Sequence, residues 1–182
     1  DSVRILAIDP GSHKSGFGIV DIHSNSCHLV NSGLIALDTK DSLSKRLCTL
    51  RNDLQEIVER YRPHEAAVES IFFAKNAQSA LVLGHARGVV LTVLEDAQLP
   101  LFEYSPAEIK QNISGSGRAS KNSIAEMVKI LLKLPRKFEW KSADQSDALA
   151  IALAHAQIRR WNKYDRTSSR TPSSQKPESL NH

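Results

Sequence analysis

The chain holds 182 residues, 41% hydrophobic and 24% charged, with a formal net charge of +4, which suffices for one domain around a single core. No run approaches roughly eighteen consecutive apolar residues and no charged-then-apolar leader opens the chain, so the expectation is a cytoplasmic protein that spans no membrane. Cys27 and Cys48 stand in no C-x-x-C pattern and read as two reduced thiols.

With Asp1 and Ser2 set aside, Val3 to Asp9 (VRILAID) is apolar on both faces and predicts a central buried strand. Gly16 to Ile22 and His28 to Leu37 are β-rich runs parted by the turn-forming residues 24–26, which predicts a meander of three strands. From Ser42 to about Arg62, Leu43, Leu47, Leu50, Leu54 and Ile57 form one apolar helical stripe, and Pro63 ends it. Glu65 to Ile71 (EAAVESI) predicts a second buried strand. Asn76 to Ala97 predicts a helix with the small residues Gly84, Ala86 and Gly88, and Leu99 to Tyr104 a short strand. Ser105-Pro106 is a helix start with serine as cap and proline at the first helical position. The glycine loop at 114–117 leads to a helix from Ser120 to about Leu134, and the last helix runs from Ser142 to about Trp161. This order predicts an α/β fold: a mixed five-stranded sheet flanked by helices. After Lys163 almost no apolar residue remains, so residues 1–162 are read as the folded domain and 163–182 as a disordered basic tail.

The charge is unevenly placed. From Arg159 to His182 six Lys or Arg face two acids, so the body before it is neutral. Within that body, Ser105 to Lys141 carries eight basic residues against three acids. A local excess of this kind is either a solvated helical face or a surface for a polyphosphate.

Acids interrupt three segments that otherwise read as core. Asp9 closes the first strand, Glu69 follows Ala66, Ala67 and Val68, and Asp144 and Asp147 share one face of the last helix's first turn. Each has an ordinary explanation: a turn at Asp9-Pro10-Gly11, an ion pair at Glu69, complementation of the helix dipole at Asp144 and Asp147. Together, three acidic sites at the ends of buried elements point to a divalent ion, because buried carboxylates need compensation. Oxygen donors without Cys or His suit Mg²⁺ or Mn²⁺. Two such ions bridged by carboxylates hydrolyse phosphodiesters by in-line displacement.

Four stretches carry a resemblance to a known family: ILAIDPGSHKSGFGIV at 5–20, AAVESIFFAKNAQSALVLGHARGVV at 66–90, FEYSPAEIKQNISGSGRASK at 102–121 and ADQSDALAIALAHA at 143–156. In these the chain resembles the RuvC-type Holliday junction resolvases of the RNase H-like superfamily, over nearly the whole predicted domain. The resemblance implies an RNase H-like fold and a homodimer that makes two symmetric cuts in four-way junction DNA. It makes Asp9, Glu69, Asp144 and Asp147 the catalytic ligands of two Mg²⁺ ions per site, with Mn²⁺ a possible substitute. It places Phe72, with Phe73 its less certain neighbour, against bases at the crossover, and gives Lys110, Arg118 and Lys121 to DNA contacts. It puts Gly84, Arg87 and Gly88 at the dimer interface and admits a branch-migration motor complex as a further partner. Leu134 to Lys141 departs from the family pattern, and the tail matches nothing in it. Rival readings are a transposase core or RNA–DNA hybrid nuclease of the same fold, and a non-catalytic junction-binding scaffold. A third rests on Asp9, Gly11, Gly16 and Gly18, which resemble the first phosphate loop of actin-like kinases, although no second loop is present.

Overall fold

The structure, a computed structural model, describes residues 2–24, 26–70 and 76–168. Strands β1 (Val3–Asp9), β2 (Lys14–His23), β3 (Ser26–Ala36), β4 (Glu65–Glu69) and β5 (Leu101–Tyr104) form one sheet in the order β3-β2-β1-β4-β5. β1 pairs antiparallel with β2 and parallel with β4, and β5 continues the parallel half. The expected mixed five-stranded α/β fold is therefore present.

Helices cover both faces, and the two-residue period of β1 shows how. Ile5 and Ala7 point into a cluster built with α3 (Pro106–Ser114), α4 (Lys121–Leu131) and α5 (Ala143–Ser168). Leu6 and Ile8 point the other way, into a cluster with α1 (Leu43–Tyr61) and α2 (Ala77–Asp96). All four side chains are fully buried, each full burial of an Ile or Leu being worth about 1.5–3 kcal/mol. A strand buried on both faces has to read as an unbroken apolar run, as this one does.

The helix starts follow the serine signals. Ser42, Ser105 and Ser120 accept the backbone N–H of Lys45, Glu108 and Ser123, and Glu108 completes a capping box with Ser105. Before the last helix Ser142 behaves differently: its hydroxyl donates to Asp144, 3.1 Å away. Two helices stop at a left-handed residue shortly before a proline. Arg62 (φ 46°) precedes Pro63, and Lys133 (φ 53°) lies two residues before Pro135, so α4 ends at Leu131 and not near Leu134. In contrast, α5 runs to Ser168, past the expected end near Trp161, because neither proline nor glycine occurs between Trp161 and Ser168. Cys27 and Cys48 are free.

Candidate active site

Strand periodicity places the first two acids. Asp9 shares a face with Ile5 and Ala7, and Glu69 with Ala67, so both carboxylates point toward α5. Ile8 pairs with Val68 across the parallel β1–β4 ladder, so the acids that follow them lie at neighbouring strand ends. These are the carboxyl ends of parallel strands, where α/β sheets place their ligand sites.

The remaining acids arrive on α5, and β2 makes room for them. Gly16 is the ladder partner of Asp9. A Cβ there would stand 2.0 Å from the carbonyl oxygen of Asp144, so glycine alone lets the first turn of α5 settle against the sheet. Gly18 does the same for Leu149, whose Cδ2 would be 2.7 Å from an added Cβ. These two glycines thus have a packing role at the floor of α5.

Asp9, Glu69 and Asp147 line one cavity of about 290 Å³ together with Lys110 of α3 and Lys121 at the start of α4. Pro106, Ile109, Ile124, Ala150 and Ile151 supply its apolar wall. Asp144 does not line this cavity. It is half-buried one turn earlier on α5, with Lys14 Nζ 3.1 Å from its Oδ2. Lys14 escaped the sequence reading because an exposed lysine beside a turn carries no local signal.

The electrostatics are those of crowded acids. Burial, then the charges of Asp147, Glu69 and Asp144, push the Asp9 carboxyl up to about 7, against a smaller opposing pull from Lys121. Glu69 is raised by burial and by Asp147, while Lys121, Arg87 and Lys110 draw it down. Lys121 donates to Asp147 Oδ2 at 2.8 Å, and that hydrogen bond raises the lysine's own pKa. Among the described residues no group of three His, Cys, Asp or Glu side chains is already spaced to hold a metal ion. Two of the acids are instead paired with lysines, Asp144 with Lys14 and Asp147 with Lys121. The donor chemistry nonetheless fits a hard divalent cation. All four groups are oxygen acids, and a carboxyl pushed up to about 7 by burial and by its three acidic neighbours marks a site short of positive charge.

The other expected site residues are dispersed. Arg118 is exposed on the loop between α3 and α4. Phe72 and Phe73 lie outside the described residues. Arg87, expected at a subunit interface, turns inward: it donates to the backbone carbonyl of Glu69 and to the carboxylate of Glu103, tying α2 to the ends of β4 and β5. Gly84 is half-buried, whereas Gly88 faces open space.

Comparison with known proteins adds a family to this geometry. The family model for the crossover junction endodeoxyribonuclease RuvC matches residues 5–155. A protein of that name from Bartonella quintana (strain Toulouse) is 42% identical over 156 residues, 86% of this chain and 90% of the relative. The Thermus thermophilus RuvC structure matches with a TM-score of 0.80 at 31% identity, covering 88% of this chain and 97% of the other. The T. thermophilus RuvC in complex with Holliday junction substrate matches with the same TM-score at 30% identity, over 88% and 96% of the two chains.

Proposed function

The chain belongs to the RuvC family of crossover junction endodeoxyribonucleases, and on that premise we propose that the cavity at the ends of β1, β4 and α5 is where it cuts four-way DNA junctions. The observation that carries this reading is the meeting of Asp9, Glu69 and Asp147 with Lys110 and Lys121 around one opening. Acids able to hold cations and lysines able to hold phosphate are the two requirements of phosphodiester hydrolysis.

Asp9, Glu69, Asp144 and Asp147 would hold two Mg²⁺ ions, or Mn²⁺ in their place. Such ions activate the attacking water and stabilise the leaving oxygen. The protein's own part is positioning. Lys121 follows the cap residue Ser120, so its ammonium and the N-terminal dipole of α4 bring positive charge to the same rim. With a side chain 75% exposed, Lys121 neutralises Asp147 and also reaches outward toward a phosphate backbone. Lys110 adds a second cation from α3, and Arg118 extends the basic rim along the loop. Ile109, Ile124 and Ile151 form an apolar wall, which strengthens the charge interactions beside it relative to open water.

Resolution needs two cuts, and one chain holds one set of acids, so the active species is a two-fold dimer. Support comes from α2, which is long and apolar enough to cross a membrane by composition alone yet is only 22% buried along that stretch. It buries Ala86, Val90, Val93 and Leu94 against the body and leaves Leu81 65% exposed, with open space beside Gly88. An exposed leucine beside an open glycine on a helix with polar neighbours Gln78, His85 and Thr92 gives a face on which a second copy of the helix can pack closely. A branch-migration motor complex completes the expected set of partners.

The deciding experiment incubates the protein with a synthetic four-way junction and Mg²⁺, beside a linear duplex of the same sequence. Paired nicks in the junction alone are expected. Equal cutting of both substrates would favour a general RNase H-like nuclease.

A further inference from the structure

Beneath the acidic cavity lies a second polar cluster that the chemistry does not use. His155 of α5 is 1% exposed. Its Nε2 stands 2.8 Å from the Glu65 carboxylate and its Nδ1 2.6 Å from the Tyr104 hydroxyl, while Arg159 Nε reaches Glu65 at 3.0 Å. The Phe102 ring packs on the imidazole with centroids 4.3 Å apart. Chemistry orients these bonds. A carboxylate can only accept, so Nε2 carries the proton and donates to Glu65, and a neutral ring then accepts the Tyr104 O–H at Nδ1. Burial lowers the His155 pKa and favours the neutral ring, and burial also keeps the Tyr104 phenol protonated. At Glu65 burial acts to raise the pKa, but the hydrogen bonds from His155 and Arg159 outweigh it and hold the carboxyl below its ordinary value.

Glu65 and Glu69 open and close β4 on the same face. Asp147 and His155 stand eight residues apart on α5, and Asp147 acts on Glu69 as His155 bonds Glu65. The spans agree. Four strand residues cover about 13 Å at roughly 3.3 Å each, and eight helical residues about 12 Å at roughly 1.5 Å each. Fixing one end of this ladder therefore fixes the other. Between the two ends α5 buries the apolar residues Ala148, Leu149, Ala150, Ile151, Ala152, Leu153 and Ala154. These contacts are non-directional: with Gly16 and Gly18 they seat the N-terminal part of α5 against the sheet, but they leave the register of its later turns to directional bonds. Directional buried bonds define it well.

We propose that His155, clamped between Glu65 and Tyr104, is a positioning residue that sets the axial register of α5 on β4 and with it the placement of Asp147 against Glu69. The inference rests on the reading of those acids as ion ligands. It is tested on the full chain by Mn²⁺ binding followed by electron paramagnetic resonance, by Mg²⁺ titration of junction cleavage, and by thermal denaturation in EDTA. His155→Leu and Tyr104→Phe are expected to weaken Mn²⁺ binding and raise the Mg²⁺ midpoint on the order of 10-fold, with junction affinity unchanged. His155→Gln, which keeps an N–H for Glu65, is expected to recover part of the loss. If His155→Leu does not fold, Tyr104→Phe, lacking only a hydroxyl, decides. A lower melting temperature with wild-type Mn²⁺ affinity and Mg²⁺ midpoint overturns the positioning role alone. Absence of Mn²⁺ uptake by the wild type overturns the ligand reading, and this inference with it.

Discussion

Asp9→Asn should make the metal-free protein more stable, and the pH dependence of that gain tests the site's electrostatics. The Asp9 carboxyl stands at about 7 in the folded chain against an ordinary 3.8. Between those values the folded state binds more protons than the unfolded one, so stability falls as pH rises through the window and levels off above about pH 7. At about 1.36 kcal/mol per pH unit the full effect is about 4 kcal/mol. Sharing of the repulsion with Glu69 and Asp147, and screening by solvent in the cavity, reduce this to about 2 kcal/mol. Asparagine keeps the shape and never ionises, so it recovers that amount at pH 8 and little of it at pH 4. For a chain of this length, about 2 kcal/mol corresponds to a rise of roughly 4–8 °C in melting temperature. The assay is thermal denaturation by circular dichroism in EDTA from pH 4 to 8, with cleavage measured in parallel and expected to be lost. A variant that is less stable at pH 8, or whose gain does not change with pH, would refute the crowded-acid account.

Glu69→Gln and Asp147→Asn should each abolish cleavage yet keep gel-shift affinity for a junction near wild type, since affinity comes from phosphate contacts by cations elsewhere; binding lost in step with cutting would make these acids structural. Lys121→Ala should weaken junction binding and reduce the slope of log affinity against log salt by about 0.9, the release from one phosphate contact; an unchanged slope would confine Lys121 to Asp147. Gly16→Ala, whose new methyl meets the Asp144 carbonyl, should cost roughly 1–3 kcal/mol in urea denaturation and depress cleavage; wild-type stability would show that α5 does not rest on β2. Leu81→Glu, on the exposed face of α2, should yield monomers by light scattering that nick one strand and stall; dimers persisting at low concentration would move the interface elsewhere.

The elements themselves were legible because their causes are local. VRILAID reads as a central strand since burial on both faces demands an unbroken apolar run, and Ser42, Ser105 and Ser120 announce helices by satisfying the backbone N–H groups within reach. The acids stood out for the same reason: Asp9 and Glu69 break runs that are otherwise core, and Asp144 and Asp147 carry the three-residue spacing of one helical face. What the sequence alone determined was therefore the inventory of elements and the anomalies within them. The fold decided which anomalies meet. Lys14 closes on Asp144, Arg87 of α2 reaches the Glu69 carbonyl, and His155 reaches Glu65 across ninety positions of chain. Gly16 and Gly18 resemble a phosphate loop in the sequence and prove to be the floor beneath α5. Each of these depends on the angle and register at which a helix lies on a sheet. That choice is made by packing over the whole core, where contacts are many, weak and non-directional, and no local run of residues records it.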